Sequence, residues 1–418
     1  MYNQMSYYLT APTGYIRPSL RNFYYFDNNS TSLIYDRSVL DRIMDWISCG
    51  NPSNILHDFG QMAHDQIQIC HHRIAADMLV KPSEIYFTSG ATESNNLIIQ
   101  GVIHYYQKKL RSKSSKVGVV TSSFEHPSVI QLLKHMEKEN NLHVAYVEPC
   151  SDKNDPEFGT IKVEDVETAI NQSPVPIVLV TIMYANNETG AVQNIRRIGK
   201  LCHRHKIFFH TDATQGLGKF IMRPKRDHVD AVSFSGHKFH GPKGIGGLYI
   251  DAAHHDWYCL CYGGEQEDSK RPGTENVASI VGMTAALELI HTDRGLKNLQ
   301  MLQKRRFIFD RLSRRTEVIM LGASEDKSLP NTLYLLLKKL GNCNKQLVQE
   351  LNRRKIYISV GSACQTGHVS HVLSAIKVPK KDWKKVIRIS LSDYTSMDEC
   401  RYLVTNLIKA LNKVTSKN

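Results

Sequence analysis

His237 and Lys238 stand side by side in "SFSGHKFHGPKG", residues 233–244, directly after the apolar run 229–234. A surface lysine needs no such setting. Small residues around a lysine let a flat ligand come close to its amine. That amine can bond an aldehyde only when neutral, a state favoured by burial and by nearby cations. Four more apolar runs end in polar groups in the same way. After "EIYFT" comes Ser89-Gly90-Ala91-Thr92, a small-residue turn leading into a helix. The free N–H groups and positive dipole end of that helix suit a phosphate. After "VGVVTSSF" comes Glu125-His126-Pro127, where Pro127 starts a helix and leaves His126 in the loop. After "VLVTIMYA" comes the polar turn 186–190, which holds Asn187. After "KIFFHT" come Asp212 and Gln215, and an aspartate that ends an apolar strand calls for a cationic partner.

Taken singly, each group has an ordinary structural explanation. Taken together, they meet the needs of pyridoxal 5′-phosphate. Lys238 is placed to form the Schiff base. Asp212 keeps the pyridine nitrogen protonated, which makes the ring an electron sink. His126 can stack on the ring. The helix start at Ala91 and Thr92, with Ser235 and His237, can hold the phosphate.

The elements that must position these groups are legible in the apolar pattern. Seven segments from "EIYFTS" to "GGLYID" are near-continuous apolar runs, as expected of strands covered on both faces. Helical stretches such as "ESNNLIIQGVIHYYQKKL" lie between them. The alternation predicts an α/β fold with a large, mostly parallel, doubly wound sheet. After about residue 290 a long charged helix, the strands "NTLYLLLKK", "IYISVGSA" and "VIRISL", and a final helix predict a smaller α+β unit. The expected division is an N-terminal extension over 1–26, packed on the small domain or disordered, a large domain over 27–290 and a small domain over 291–418.

The bulk composition narrows the setting. Lys plus Arg exceed Asp plus Glu by 13 over 418 residues, but the excess is spread along the chain and reads as a generally basic surface. Contact with tRNA is compatible with it. Nine cysteines without a CxxC argue against a disulfide framework or a zinc ribbon. No run approaches the roughly 18 apolar residues of a membrane span. The N-terminal stretch has no secretory pattern, so a cytoplasmic protein is expected.

The motifs "GNPSN", "HDFGQMA", "PSEIYFTSGATESNN", "EHPSV", "YANNETGAVQNI", "HTDATQ", "SFSGHKFHGPKGIGGLYI", "GGEQEDSKRPGTENV" and "SVGSAC" occur in that order between about residues 25 and 412. In this the chain resembles the NifS/IscS cysteine desulfurases and the related selenocysteine lyases. These belong to the class V aminotransferase group of fold-type I pyridoxal-phosphate enzymes. The resemblance implies that Lys238 is the Schiff-base lysine and proton shuttle. It implies that Asp212 pairs with the pyridinium nitrogen, Gln215 with the ring hydroxyl, and His126 with the ring face. Ala91, Thr92, Ser235 and His237 would bind phosphate, and Asn187 would position cofactor and substrate. Thr274 in "RPGTEN" resembles a threonine lent to the phosphate of the other subunit, which implies a homodimer with shared active sites.

Cys364 lies in "VGSACQTGHVSHVL", between Gly361 and Gly367. By resemblance it is the thiol that attacks the sulfur of L-cysteine and passes it to a sulfur-acceptor protein, for iron–sulfur clusters, thiolated tRNA or other cofactors. Arg388 resembles the family's arginine for the substrate α-carboxylate, a contact suited to a guanidinium fork. A selenocysteine lyase, or a weakly active scaffold binding acceptor proteins or tRNA, are the alternatives. Cys364, His368 and His371 have a metal-like spacing, but metal would block the nucleophile, so none is expected. Four positions depart from the family pattern. There is one extra residue before His57, Glu265 replaces a glycine, and Asp393 stands where a basic residue is common. The stretch after Cys364 is two residues short of the long-loop desulfurases.

Overall fold

Alternate residues of a strand face opposite sides of its sheet, so a strand covered on both sides must be apolar at every position. Over their leading residues the central strands obey this, while polar Thr181, His210 and Ser233, buried further along, hydrogen-bond one another. Val119, Leu179 and Phe208 enter the apolar cluster on one face, while Val120, Val180 and Phe209 enter the cluster on the other. The computed structural model describes residues 23–110, 116–139, 142–254, 261–341, 343–360 and 370–416.

The chain starts with a two-residue strand, β1 (Tyr24–Tyr25), followed by helices α1 (Arg37–Trp46) and α2 (Asp58–Met78). Next come β2 (Ile85–Thr88), α3 (Ala91–Lys109), β3 (Val117–Ser122), α4 (Pro127–Glu139), β4 (Leu142–Val147) and β5 (Ile177–Thr181). The large sheet is completed by β6 (Phe208–Asp212), β7 (Ala231–Ser235) and β8 (Gly246–Ile250). Its order is β2-β8-β7-β6-β5-β3-β4. Strand β8 pairs antiparallel with both neighbours, and every other pairing is parallel. The fold is the mixed, mostly parallel α/β arrangement of fold-type I, and each of the seven expected strands is present.

The second sheet is antiparallel, in the order β12 (Val386–Ser390), β10 (Thr332–Leu337), β9 (Val318–Met320). The pattern reading found β10 and β12 but not β9, whose three half-buried residues carry no alternation to detect. Helices Arg294–Ser313 and Met397–Thr415 cover this sheet, and their apolar residues join one buried cluster with Phe26. Short β1 pairs in parallel with β11 (Ile356–Tyr357), and Asp27 bridges to Ser390 at the end of β12. The chain therefore runs from the edge of the small sheet straight to the ends of the large-sheet strands.

Gly246 shows how closely these pieces approach. A Cβ there would lie 2.4 Å from the Phe234 carbonyl oxygen and 2.6 Å from the Gly90 Cα. Only a glycine on β8 lets the turn between β2 and α3 settle against the sheet. Gly246→Ala is therefore expected to cost about 1–3 kcal/mol through forced backbone shifts, read as a lower urea midpoint with an unchanged slope.

Candidate active site

In open α/β sheets, ligands bind beyond the carboxyl ends of the strands. A cavity of about 610 Å³ lies at that edge here. Ten of the twelve residues expected at the site line it: Ala91, Thr92, His126, Asn187, Asp212, Gln215, Ser235, His237, Lys238 and Arg388. Thr274 is exposed and outside it, in a segment tied to the first turn of α3 by the Arg271–Glu93 ion pair at 2.9 Å. Cys364 lies outside the described residues. Ser359, five positions before it, lines the cavity. On the far side, the Ser370 hydroxyl donates to the buried Glu188 carboxylate at 2.9 Å, and His371 Nε2 donates to the Glu125 carbonyl at 2.7 Å.

Lys238 Nζ donates to the carbonyls of Asn29 at 2.7 Å and Ser30 at 2.8 Å. Burial, reinforced by the Arg388 and Lys219 charges, pushes its amine down to about 7. Burial and the charges of Lys238 and Lys243 likewise push His237 down to about 4, so that ring is neutral near pH 7. Its Nδ1 meets the Thr31 hydroxyl at 3.0 Å.

Asp212, on the last position of β6, is only 4% exposed. Its carboxylate accepts from Asn95 Nδ2 at 2.8 Å and from the Thr214 N–H at 2.9 Å. Both donors are neutral, and among the described residues it has no ion pair. The cation that the sequence pattern demands is thus not one of these side chains. Asn95 also donates to the Ser128 hydroxyl at 2.9 Å, and that hydroxyl meets His126 Nδ1 at 2.8 Å. The Ser128 N–H donates to the same Nδ1 at 3.2 Å, so Nδ1 is an acceptor and the proton of the neutral ring sits on Nε2. Burial holds His126 below the usual imidazole range, in keeping with a neutral ring. Beneath it, wholly buried Glu125 is pushed up to about 8 by desolvation, while its Oε1 accepts from Ser122 and from the Met183 N–H.

Three polar atoms of the cavity-lining residues are buried without a partner: Gln215 Oε1, Thr214 Oγ1 and Arg388 Nε. Orphaned groups of this kind cost about 1–3 kcal/mol each unless something binds them. With the uncompensated carboxylate of Asp212, a partly neutral lysine and the first-turn N–H groups of α3, they fit a phosphorylated cationic pyridine aldehyde.

Sequence reasoning missed the segment 29–31. Asn29 accepts from Lys238 and from Gln215 Nε2 at 2.9 Å, and its amide donates to the Asn187 carbonyl at 3.1 Å. Asn95 and Ser128 were missed too. Their signal was present, since both sit within the first five residues of helices that follow site-bearing strands. The odd Asp393 proves to be buried and paired, with His240 Nε2 at 2.9 Å and Lys297 Nζ at 3.6 Å. Burial alone would raise its carboxyl, but these partners outweigh that and pull it down to about 2.

The family described as "Aminotransferase class-V" matches residues 24–403. The chain belongs to the class-V aminotransferase family. Within it, the chain groups with the NifS/IscS-like cysteine desulfurases. It is 33% identical over 367 residues to the cysteine desulfurase IscS of Dictyoglomus turgidum, covering 87% of this chain and 88% of that one. It is 34% identical over 378 residues to a cysteine desulfurase of Nostoc sp., covering 89% and 88%. A solved NifS-like protein superposes with a TM-score of 0.83 at 30% identity, over 94% of this chain and 100% of the other. Among the described residues no helix is long and apolar enough to cross a membrane.

The lysine environment has a direct consequence. In cofactor-free protein, trace labelling of Lys238 with acetic anhydride, read by peptide mass spectrometry, should rise with pH and reach half its plateau near pH 7. Exposed lysines should do so only above about pH 10. A Lys238 curve that follows the exposed lysines would refute the buried-amine account.

Proposed function

We propose that this protein is a pyridoxal-phosphate-dependent cysteine desulfurase, converting L-cysteine to L-alanine and passing the sulfur, as a persulfide on Cys364, to an acceptor protein. The observation that carries the reading is the convergence of Lys238, Asp212, His126 and Arg388 on one cavity, with Asp212 in no ion pair among the described residues.

Pyridoxal 5′-phosphate, when bound, supplies an electron sink for negative charge that develops at the amino acid Cα. The chain's own groups do the rest. Lys238 would hold the cofactor covalently, and its amine would take the proton from the substrate Cα. Its low proton affinity leaves it partly neutral near pH 7, as a base must be. Asp212 keeps the pyridine nitrogen protonated, and the amides of Asn95 and Thr214 hold that carboxylate in place. His126 faces the ring in its Nε2–H tautomer, fixed by Ser128. Gln215 reaches the ring hydroxyl. The N–H groups of Ala91 and Thr92, the Thr92 and Ser235 hydroxyls and neutral His237 hold the phosphate. Arg388 takes the α-carboxylate, and Asn187 helps orient cofactor and substrate.

The sulfur step balances without an external oxidant. The Cys364 thiolate attacks the substrate Sγ, an S–S bond forms, and the Cβ–Sγ bond breaks. Its electron pair stays with carbon, which gains a proton as alanine forms. L-Cysteine plus the Cys364 thiol thus gives L-alanine plus the Cys364 persulfide.

A homodimer is part of the same reading. Ile47, Ile55, Leu56, Phe59 and Met62 crowd the end of α1 and the start of α2 as exposed apolar side chains, Leu56 at 94%. Such a patch favours burial against a second copy. Thr274, exposed and away from its own cavity, would then reach the partner's phosphate site.

The test is amino acid turnover by the holoenzyme with dithiothreitol as reductant. Wild type should form alanine and sulfide in equal amounts from L-cysteine. Lys238→Ala and Cys364→Ala should each lose about a hundredfold or more in sulfide release, since each removes a covalent participant. Cys364→Ala should keep the cofactor absorbance, and borohydride should no longer fix cofactor to Lys238→Ala. Equal turnover by all three proteins would defeat the assignment.

A further inference from the structure

Arg388 is committed before any ligand arrives. Its Nη2 donates to Asp27 Oδ1 at 2.8 Å and to the Ser30 hydroxyl at 2.6 Å, and its Nη1 donates to the Asn187 carbonyl at 2.9 Å. The Ser30 hydroxyl in turn donates to Asp27 Oδ1 at 2.9 Å. A guanidinium has two edges on which a carboxylate can dock with two parallel bonds, Nε/Nη2 and Nη1/Nη2. Nη2 belongs to both. A carboxylate on either edge therefore meets Asp27 or Ser30 already seated at that nitrogen. Meanwhile Arg388 Nε is buried with no partner, in a residue 3% exposed that lines the cavity. The Nε/Nη2 edge thus has one waiting donor and one occupied donor.

We propose that Asp27, with Ser30 as its bridge to Nη2, is an internal counter-ion of the α-carboxylate subsite, and that an amino acid binds Arg388 by displacing it from the Nε/Nη2 edge. The inference rests on the reading of Arg388 given above and adds two specificity-determining residues to it. Two carboxylates cannot share one nitrogen without like-charge repulsion, so Asp27 weakens amino acid binding in proportion to its hold on Arg388. The bound carboxylate in turn satisfies the orphaned Nε. The arrangement selects ligands carrying a carboxylate strong enough to exchange, and Asp27 offsets part of the Arg388 charge felt by Lys238. Asp27 suits this role by its place in the fold. It bridges to Ser390, two residues along β12 from Arg388, so its backbone stays fixed while its side chain exchanges.

The test compares binding of L-alanine and of L-alaninamide, which lacks the carboxylate, to holoenzyme by calorimetry. Asp27→Asn should tighten L-alanine about tenfold, the scale of one charge-assisted hydrogen bond relinquished by a competitor, with L-alaninamide changed less than about twofold. Ser30→Ala, a small change at the same nitrogen, should tighten L-alanine about threefold. It decides the matter should Asp27→Asn fail to fold. Independently of cofactor, Asp27→Asn should move the half-labelling pH of Lys238 downward, because Asp27 offsets Arg388 near that amine. L-Alanine bound no tighter by either variant, or both ligands tightened equally, would overturn the inference alone. Wild type that does not prefer L-alanine to L-alaninamide would overturn the Arg388 assignment beneath it.

Discussion

The site depends on holding one amine half-buried and partly neutral. Lys238 sits between two backbone carbonyls, with the Arg388 charge close enough to oppose its protonation. A lysine in open solvent would be protonated at neutral pH and inert toward a carbonyl carbon. Burial alone would leave an unsatisfied group, so the carbonyls of Asn29 and Ser30 are as necessary as the burial itself.

That requirement organises the two halves of the chain. The large sheet delivers a helix N-terminus, an imidazole, a carboxylate and the lysine, because its strands end side by side at one edge. It cannot deliver the arginine. Arg388 comes from β12 of the small sheet, and segment 27–31, bridged to the end of β12, carries the contacts between the two. Asp393, just beyond β12, adds a contact at 2.9 Å to His240, two residues past Lys238. The lysine and the arginine are thus held in a common frame although their strands lie in different sheets.

Parts of this were readable in advance, for reasons particular to each element. The strands of the large sheet are apolar over most of their length because both faces are covered, so runs such as "VPIVLVTIMY" announced them. The residues after them were readable because a polar cluster at the end of such a run has few structural reasons to be there. β9 was not readable, since three half-buried residues make no pattern. Asn29, Ser30 and Thr31 were not readable either. "DNNST" is an ordinary polar turn by composition, and its value lies in backbone carbonyls and short hydroxyls whose partners are more than 150 residues away. Asp393 looked like a departure from the family, and its buried ion pairs explain how a carboxylate is tolerated there.

Residue type and local order by themselves determined the α/β architecture, the identity of the lysine, aspartate and histidine at the strand ends, and the family. The architecture follows from periodicity, the strand-end groups from chemistry that only a few side chains can perform, and the family from the resemblance of ordered motifs. Tertiary structure alone decided which groups are electrically paired. It gave Asp212 neutral hydrogen-bond donors and no ion pair among the described residues, gave Arg388 an internal partner in Asp27, and set the His126 tautomer through Ser128 and Asn95. Charge and hydrogen-bond pairing depend on distances of about three ångströms between residues far apart in the chain, and only the folded backbone sets those distances.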